Sequence, residues 1–141
     1  MEEELFENCF AHSVRRADRV LSQIYNDQLS PLGLRITQFS LMRALHFMGE
    51  TTASHLEKEL IMDQTTVSRG LKPLVRDGYI GVKSGRNRRE KILALTPEGE
   101  SLFQLALGPW EIAQQAVKVS LGETGVDTLI ATNREIVKLR K

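Results

Sequence analysis

Two short apolar stripes separated by three residues constrain this chain more than any other feature. The segment "TTASHLEKEL" (51–60) can hold itself down through Leu56 and Leu60, and "QTTVSRGLKPLVRD" (64–77) through Val67, Leu71, Leu74 and Val75. Only "IMD" lies between them. Steps of three and four residues make each an amphipathic helix. Thr51 or Thr52 is placed to cap the first and Asp63 the second. Pro73 lies inside the second helix, where it costs some regularity and allows a bend, and Gly78 stands where a helix end takes a left-handed residue. With one short helix before them and a hairpin after, these two helices read as the core of a winged helix-turn-helix.

The next stretch changes period. Ile80–Lys83 and Lys91–Leu95 read as strands joined by the arginine-rich turn "SGRNRRE". Gly85 and Asn87 are the residues there that tolerate positive φ, as a hairpin tip requires. Thr96-Pro97 then restarts helix, with Thr as cap and Pro in the first turn. That helix is expected to reach about Ser120 with a break at Gly108-Pro109. Gly122 ends it, and a last helix carries Val126, Leu129, Ile130, Ile136 and Val137 on one face. Upstream, Leu5, Phe6, Cys9, Phe10, Val14, Ala17, Val20, Leu21, Ile24 and Tyr25 give one long amphipathic helix, interrupted only by Ser13 and ending near Leu29, before Pro31 and Gly33. Thr37 is the natural cap of a second helix with Phe39, Met42, Leu45 and Met48 inward.

The fold class is therefore mainly α with a small β-hairpin wing: a winged helix-turn-helix lobe over residues 34–98, flanked by long helices at 1–30 and 99–141 within one domain. The flanking helices have more apolar face than so small a lobe can cover, and a second copy of the chain is the natural place to bury it.

Bulk composition excludes several classes. At 141 residues, 41% apolar and 26% charged, the chain suits one globular domain, and no apolar run approaches a membrane span. "MEEELFEN" is acidic and has no apolar core of a secretory signal, so a cytoplasmic location is expected. One cysteine permits no intrachain disulfide, and His12, His46 and His55 have no metal-ligand spacing with one another or with Cys9, so neither metal nor cofactor is expected. No glycine-rich phosphate loop, nucleophile elbow or paired carboxylates suggest an enzyme. The net charge of +1 hides an asymmetry. Between Asp63 and Lys91, eight basic residues face three acidic ones, a local +5 that leaves −4 for the remainder. A basic middle between acidic ends points to a localised polyanion contact. A winged helix used only to bind protein, the rival reading, has no need of that charge.

In a helix-turn-helix the second helix enters the major groove. Here it presents Gln64, Thr65, Thr66, Ser68, Arg69 and Lys72 away from its apolar stripe. Gln pairs with adenine, Arg with guanine, and Thr or Ser with phosphates or thymine methyls. In the hairpin, Lys83, Arg86, Asn87, Arg88 and Arg89 form the second candidate contact. Minor-groove entry by arginine reads groove width and potential, so the hairpin is expected to supply salt-dependent affinity and the helix most of the base preference.

At this point the sequence resembles the MarR (multiple-antibiotic-resistance regulator) family of winged-helix repressors over nearly its whole length. "LSPLGLRITQFSLMRAL" looks like the family's first-to-second helix junction, "TASHLEKELIMDQTTVSRGLKPLVRDGYI" like its helix-turn-helix, and "GRNRREKILALTPEGE" like its wing and return helix. The resemblance implies a homodimer with intertwined terminal helices, reading a pseudopalindromic DNA operator and released by a small, often anionic aromatic ligand. The family's wing carries an Asp two residues before a key Arg. Arg89 matches that arginine, but Asn87 replaces the acid and offers only a neutral acceptor. The usual ligand crevice would be lined here by Cys9, His12, Arg16, Phe39, Arg43, His46 and Trp110. Peroxide-sensing members carry a reactive first-helix cysteine, which makes Cys9 a redox alternative. Their thiolate-stabilising tyrosines are replaced here by Ser13 and Gln23.

Overall fold

The computed structural model describes residues 8–87 and 89–140. Its elements run α1 (Phe10–Leu29), a 3-10 turn (Ser30–Leu32), α2 (Ile36–Met48), β1 (Thr51–Thr52), α3 (Ala53–Leu60), α4 (Gln64–Arg76), β2 (Ile80–Ser84), β3 (Lys91–Leu95) and α5 (Pro97–Lys138). The expected winged helix-turn-helix between long terminal helices is present. Leu5 and Phe6, the first two residues of the expected apolar stripe, and the wing's Arg88 lie outside the described residues.

Helix α2 is the centre of the lobe. Its Phe39, Leu41, Met42 and Leu45 are buried among Leu56 of α3, Val67, Leu71 and Leu74 of α4, and Leu102 and Phe103 of α5. Leu41 was not among the expected inward residues, and Val75 of the expected α4 stripe is exposed at 38%. Gly70 of α4 faces Leu41, where an added Cβ would lie 2.5 Å from the Leu41 Cδ1. The recognition helix can therefore press its backbone against α2, which a larger residue would prevent.

Several boundaries follow their caps. The Thr52 hydroxyl accepts from the His55 N–H at 3.1 Å, and the Asp63 carboxylate from the Thr66 N–H at 2.7 Å. Helix α4 ends as the glycine position indicates. Gly78 has φ 82°, with its N–H donating to the Val75 carbonyl (3.1 Å) and the Tyr79 N–H to the Leu74 carbonyl (2.9 Å). Pro73 sits in α4 without interrupting it.

Four expectations need correction. Helix α2 begins after Arg35, not at Thr37, because other groups take its first donors. Gln38 Oε1 accepts from the Arg35 N–H (3.0 Å), and Asn26 Oδ1 of α1 accepts from the Ile36 N–H (2.7 Å). Cys9 is not on a helical stripe but is the exposed, extended residue before α1. Gly108-Pro109 does not break α5; the break falls at Gly122 (φ 75°, ψ 169°), which kinks α5 into two helical segments, so the expected last helix does begin after Gly122. Proline forfeits only the bond to the carbonyl four residues back, and that residue, Leu105, is exposed to water. The wing, finally, is not a simple hairpin but a three-stranded antiparallel sheet of order β1-β3-β2, with Thr51 opposite Leu93 and Thr52 opposite Ile92. Two residues are too few to signal a strand, and β1 exists because β3 offers a free edge.

Where the chain leaves the lobe, Thr96 ties three elements together. Its hydroxyl donates to the Gly78 carbonyl (2.6 Å) and accepts from the Gly99 N–H (3.0 Å), while its own N–H donates to the Tyr79 carbonyl (3.1 Å). Gly99 is obligatory at this junction, because a Cβ there would collide with the Tyr79 carbonyl.

The turn between α3 and α4 contains Ile61 at φ 52°, ψ 50°, a left-handed conformation that a β-branched residue adopts at a cost. Its side chain is 68% exposed, so little burial offsets the strain. Ile61→Gly is expected to raise stability by about 0.5–1 kcal/mol, the relieved strain less the added freedom of the unfolded chain. Thermal unfolding would check it, and a lower melting temperature would refute it.

Candidate nucleic-acid interface

The α4 sequence positions its own polar face. With Val67, Leu71 and Leu74 inward, the six residues Gln64, Thr65, Thr66, Ser68, Arg69 and Lys72 are all exposed. The Asp63 cap fixes where the first turn starts. Its carboxyl is held below the ordinary aspartate value, first by the bond from the Thr66 N–H, with the Thr66 hydroxyl and Arg69 adding to the effect. The helix N-terminus is thereby set with one acid beside it, and Arg69 two turns on supplies the opposite charge.

The wing tip is the six-residue loop from Gly85 to Glu90, between the paired Ser84 and Lys91. Neither Gly85 nor Asn87 adopts positive φ, contrary to the sequence expectation. The turn is made by side chains instead. Asn87 Oδ1 accepts from the N–H groups of Arg89 (3.1 Å) and Glu90 (3.0 Å), and the Gly85 N–H donates to the Glu90 carbonyl (2.8 Å). Asn87 therefore holds Arg89 by its backbone, a task that needs an oxygen acceptor but no charge. Asn in place of the expected Asp fits this geometry.

Two cations of the basic segment are already occupied. Lys83 Nζ lies 2.7 Å from Glu50 Oε1, so its place among the wing contacts is shared with an acid. Arg76 donates twice to Asp77 (3.0 and 3.2 Å), which holds the Asp77 carboxyl below its ordinary value and raises the arginine above its own. Arg69, Lys72, Arg86 and Arg89 remain exposed, and so does Lys91, which the sequence reading left out of the site. Its place at the base of the wing follows from the β2–β3 register, and the alternation of β3 could have signalled it.

The structure brings wing and recognition helix to one cleft. Gln64, Val67 and Ser68 of α4, Arg89, Glu90 and Lys91 of the wing, Thr52 of β1, and Ala53, Ser54 and Glu57 of α3 enclose about 530 Å³. Helix and wing are thus parts of a single surface.

The residues expected to line a ligand crevice fall into two groups. Four belong to one cluster between α2 and α5. Phe39 is buried, its ring centroid 5.4 Å from that of Phe103 and 6.0 Å from that of Trp110. The Arg43 guanidinium lies over Trp110 (5.8 Å) and over the exposed Phe47 (5.7 Å). His46 stacks on Phe103 at 4.7 Å and meets Glu100 through Nδ1 at 2.9 Å. Phe47, Phe103 and Glu100 were not anticipated, since only the packing of α2 on α5 brings them there. Cys9, His12 and Arg16 lie instead at the start of α1, where Cys9 and Arg16 are exposed. Access to the Cys9 sulfur is open, while Ser13 and Gln23 still stand where stabilising tyrosines would be.

Comparison with known proteins agrees with this geometry. Residues 32–90, which span the lobe from the 3-10 turn to the wing, match the model of the MarR family. The chain is 30% identical over 93 residues to the HTH-type transcriptional regulator YwoH of Bacillus subtilis, covering 66% of this chain and 68% of that one. The transcriptional regulator MosR of Mycobacterium tuberculosis, solved in complex with DNA, superposes with a TM-score of 0.81 at 32% identity, over 94% of this chain and 98% of that chain. BpsR of Bordetella bronchiseptica, whose DNA binding is regulated by 6-hydroxynicotinic acid, superposes with a TM-score of 0.84 at 22% identity, over 94% and 96%. At that identity the likeness is one of fold. Lobe, wing, flanking helices and relatives agree, and the chain belongs to the MarR family of winged helix-turn-helix, DNA-binding transcriptional regulators.

Proposed function

We propose that the chain is a repressor that binds a pseudopalindromic operator as a homodimer and is released by a small aromatic anion. The observation that carries the DNA reading is the shared cleft, in which Gln64 and Ser68 of the recognition helix and Arg89 and Lys91 of the wing face the same space. A duplex laid along that surface presents its major groove to α4 and the neighbouring minor groove to the wing. Gln64, Thr65, Thr66, Ser68, Arg69 and Lys72 then meet base edges and flanking phosphates, while Arg86, Arg88 and Arg89 meet the minor groove. Lys83 acts more weakly because Glu50 competes for it.

The dimer reading rests on what the isolated chain leaves uncovered. Phe10 is 83% exposed, Val119 81% and Leu139 79%, with Val14, Val20, Ile130 and Val137 on the same terminal helices. Exposed apolar side chains in this number mark an interface. A second copy brings complementary faces and sets two α4 helices at successive half-sites about one helical turn apart.

The effector reading rests on the α2–α5 cluster. Phe47 and Trp110 offer ring faces and Arg43 lies over both, a pairing that suits a flat ring carrying a carboxylate. His46, held by Glu100, borders the same cluster. A ligand bound there would favour a placement of α5 against the lobe that no longer matches the half-site spacing.

Three outcomes are expected. Arg89→Ala should weaken binding on all duplexes alike and lower the salt slope by roughly one charge. A sharp change of base preference, read by selection from randomised DNA, would contradict that division of labour. Sedimentation at micromolar concentration should give twice the 15.9 kDa chain mass, and a concentration-independent monomer would end the dimer reading. An aromatic acid such as 6-hydroxynicotinic acid should raise the melting temperature and lower operator affinity, by about 2.7 kcal/mol of stabilisation at a hundredfold excess over its dissociation constant. Arg43→Ala should abolish both effects, and persistence of either would place the ligand elsewhere.

A further inference from the structure

The wing tip carries an acid, Glu90, among its arginines. Glu90 directly follows Arg89, and on charge alone its carboxylate should repel the phosphates that the arginines attract. Its geometry gives another role. The side chain turns back across the loop, and Oε2 accepts from the Arg86 N–H at 3.2 Å. It lies against Gly85, where an added Cβ would stand 2.7 Å from Glu90 Oε2, 2.9 Å from Cγ and 3.0 Å from Cβ. Since Gly85 does not use positive φ, backbone freedom is not what its glycine supplies. It supplies the notch that seats the Glu90 side chain.

We infer that Glu90 and Gly85 form a latch that pre-orders the wing tip, with Glu90 as a positioning residue for Arg86 and Arg89. Two side chains divide the loop between them. Asn87 Oδ1 takes the Arg89 and Glu90 N–H groups, while the Glu90 carboxylate takes the Arg86 N–H and the Glu90 carbonyl takes that of Gly85. Both arginines therefore leave the loop from Cα positions fixed before DNA arrives, and their long side chains remain to be ordered. Each loop residue ordered beforehand rather than on binding is worth about fivefold or more in affinity. The acid stays at the tip because an oxygen acceptor is needed there, and its charge is the accompanying cost.

The inference rests on the proposed wing contact with DNA, and the test separates the two. Affinities would be measured by anisotropy, across a range of salt, on a duplex selected by the parent protein from a randomised pool. Glu90→Ala and Glu90→Gln both remove the charge, but only Ala removes the acceptor. Glu90→Gln should bind about fivefold tighter than Glu90→Ala, with equal salt slopes and melting temperatures. Gly85→Ala should resemble Glu90→Ala, and the two together should lose little more than either alone. If Ala and Gln bind equally, or both bind tighter than the parent by the same factor, Glu90 is only a charge and the latch is overturned. If Gly85→Ala and Glu90→Ala add in full, the notch is overturned. Arg89→Ala serves as the control. Its loss of affinity alongside equal Ala and Gln variants sinks the latch alone, whereas no loss with Arg89→Ala sinks the wing reading and the latch with it.

Discussion

Everything the lobe presents depends on the close approach of the first turn of α5 to the carbonyl of Tyr79. Tyr79 follows the glycine that ends the recognition helix and precedes β2, so it belongs to both. Its carbonyl accepts from the Thr96 N–H, and the preceding Gly78 carbonyl accepts from the Thr96 hydroxyl. Gly99 alone leaves room for that carbonyl. The end of α4, the root of the wing and the start of the longest helix are therefore one hydrogen-bonded knot. The first turn of α5 is thus bonded at one point to both the end of α4 and the root of the wing.

The aromatic cluster lies on that same helix, one face in the core and the other towards solvent. Phe39 and Phe103 anchor it inside, and Arg43 and Phe47 reach outward. His46 and Glu100 bridge α2 and α5 one residue beyond the Gly99 contact. The arrangement leaves α5 held to the lobe by stacking and the His46–Glu100 hydrogen bond at this level, and by hydrogen bonds at the knot. Further along, Tyr25 of α1 donates to Gln114, and burial together with the Glu111 charge raises its hydroxyl above the ordinary tyrosine value. The terminal helices are thus tied to one another through Tyr25, while Phe10, Val14, Val20 and Val119 on them stay exposed.

Local chemistry made most of the lobe legible in the sequence. Thr52, Asp63, Gly78 and Thr96 each announce a helix boundary through a bond made within a few residues, and each makes that bond. What the sequence hid depends on distant partners. Arg35 starts α2 because Asn26 and Gln38 supply acceptors, and no rule of cap propensity would choose an arginine. Strand β1 forms on an edge provided by residues forty positions later. Ile61 is left-handed because it caps the end of α3, where the Met62 N–H donates to the Glu57 carbonyl (3.0 Å), although the residue type argues against it. In the candidate site, the polar face of α4 was readable from the apolar stripe opposite it. The pairing of Lys83 with Glu50 was not, since it joins residues far apart in the chain.

The arginine cluster at the wing tip shows how charge and geometry divide a task. Counting residues gives the tip an excess of positive charge, which explains attraction to a polyanion but gives the side chains no direction. Direction comes from Asn87 and Glu90, a neutral and an acidic residue, which hold the backbone beneath the arginines. Had the loop been more basic still, with lysine at either position, attraction would rise while the acceptors that fix the turn would be lost. A loop of six residues must close some of its N–H groups internally or order them anew on each encounter. Placing the acceptors inside the loop keeps the cost of order in the folded protein, where it is met once, and leaves the guanidinium groups exposed for whatever they contact.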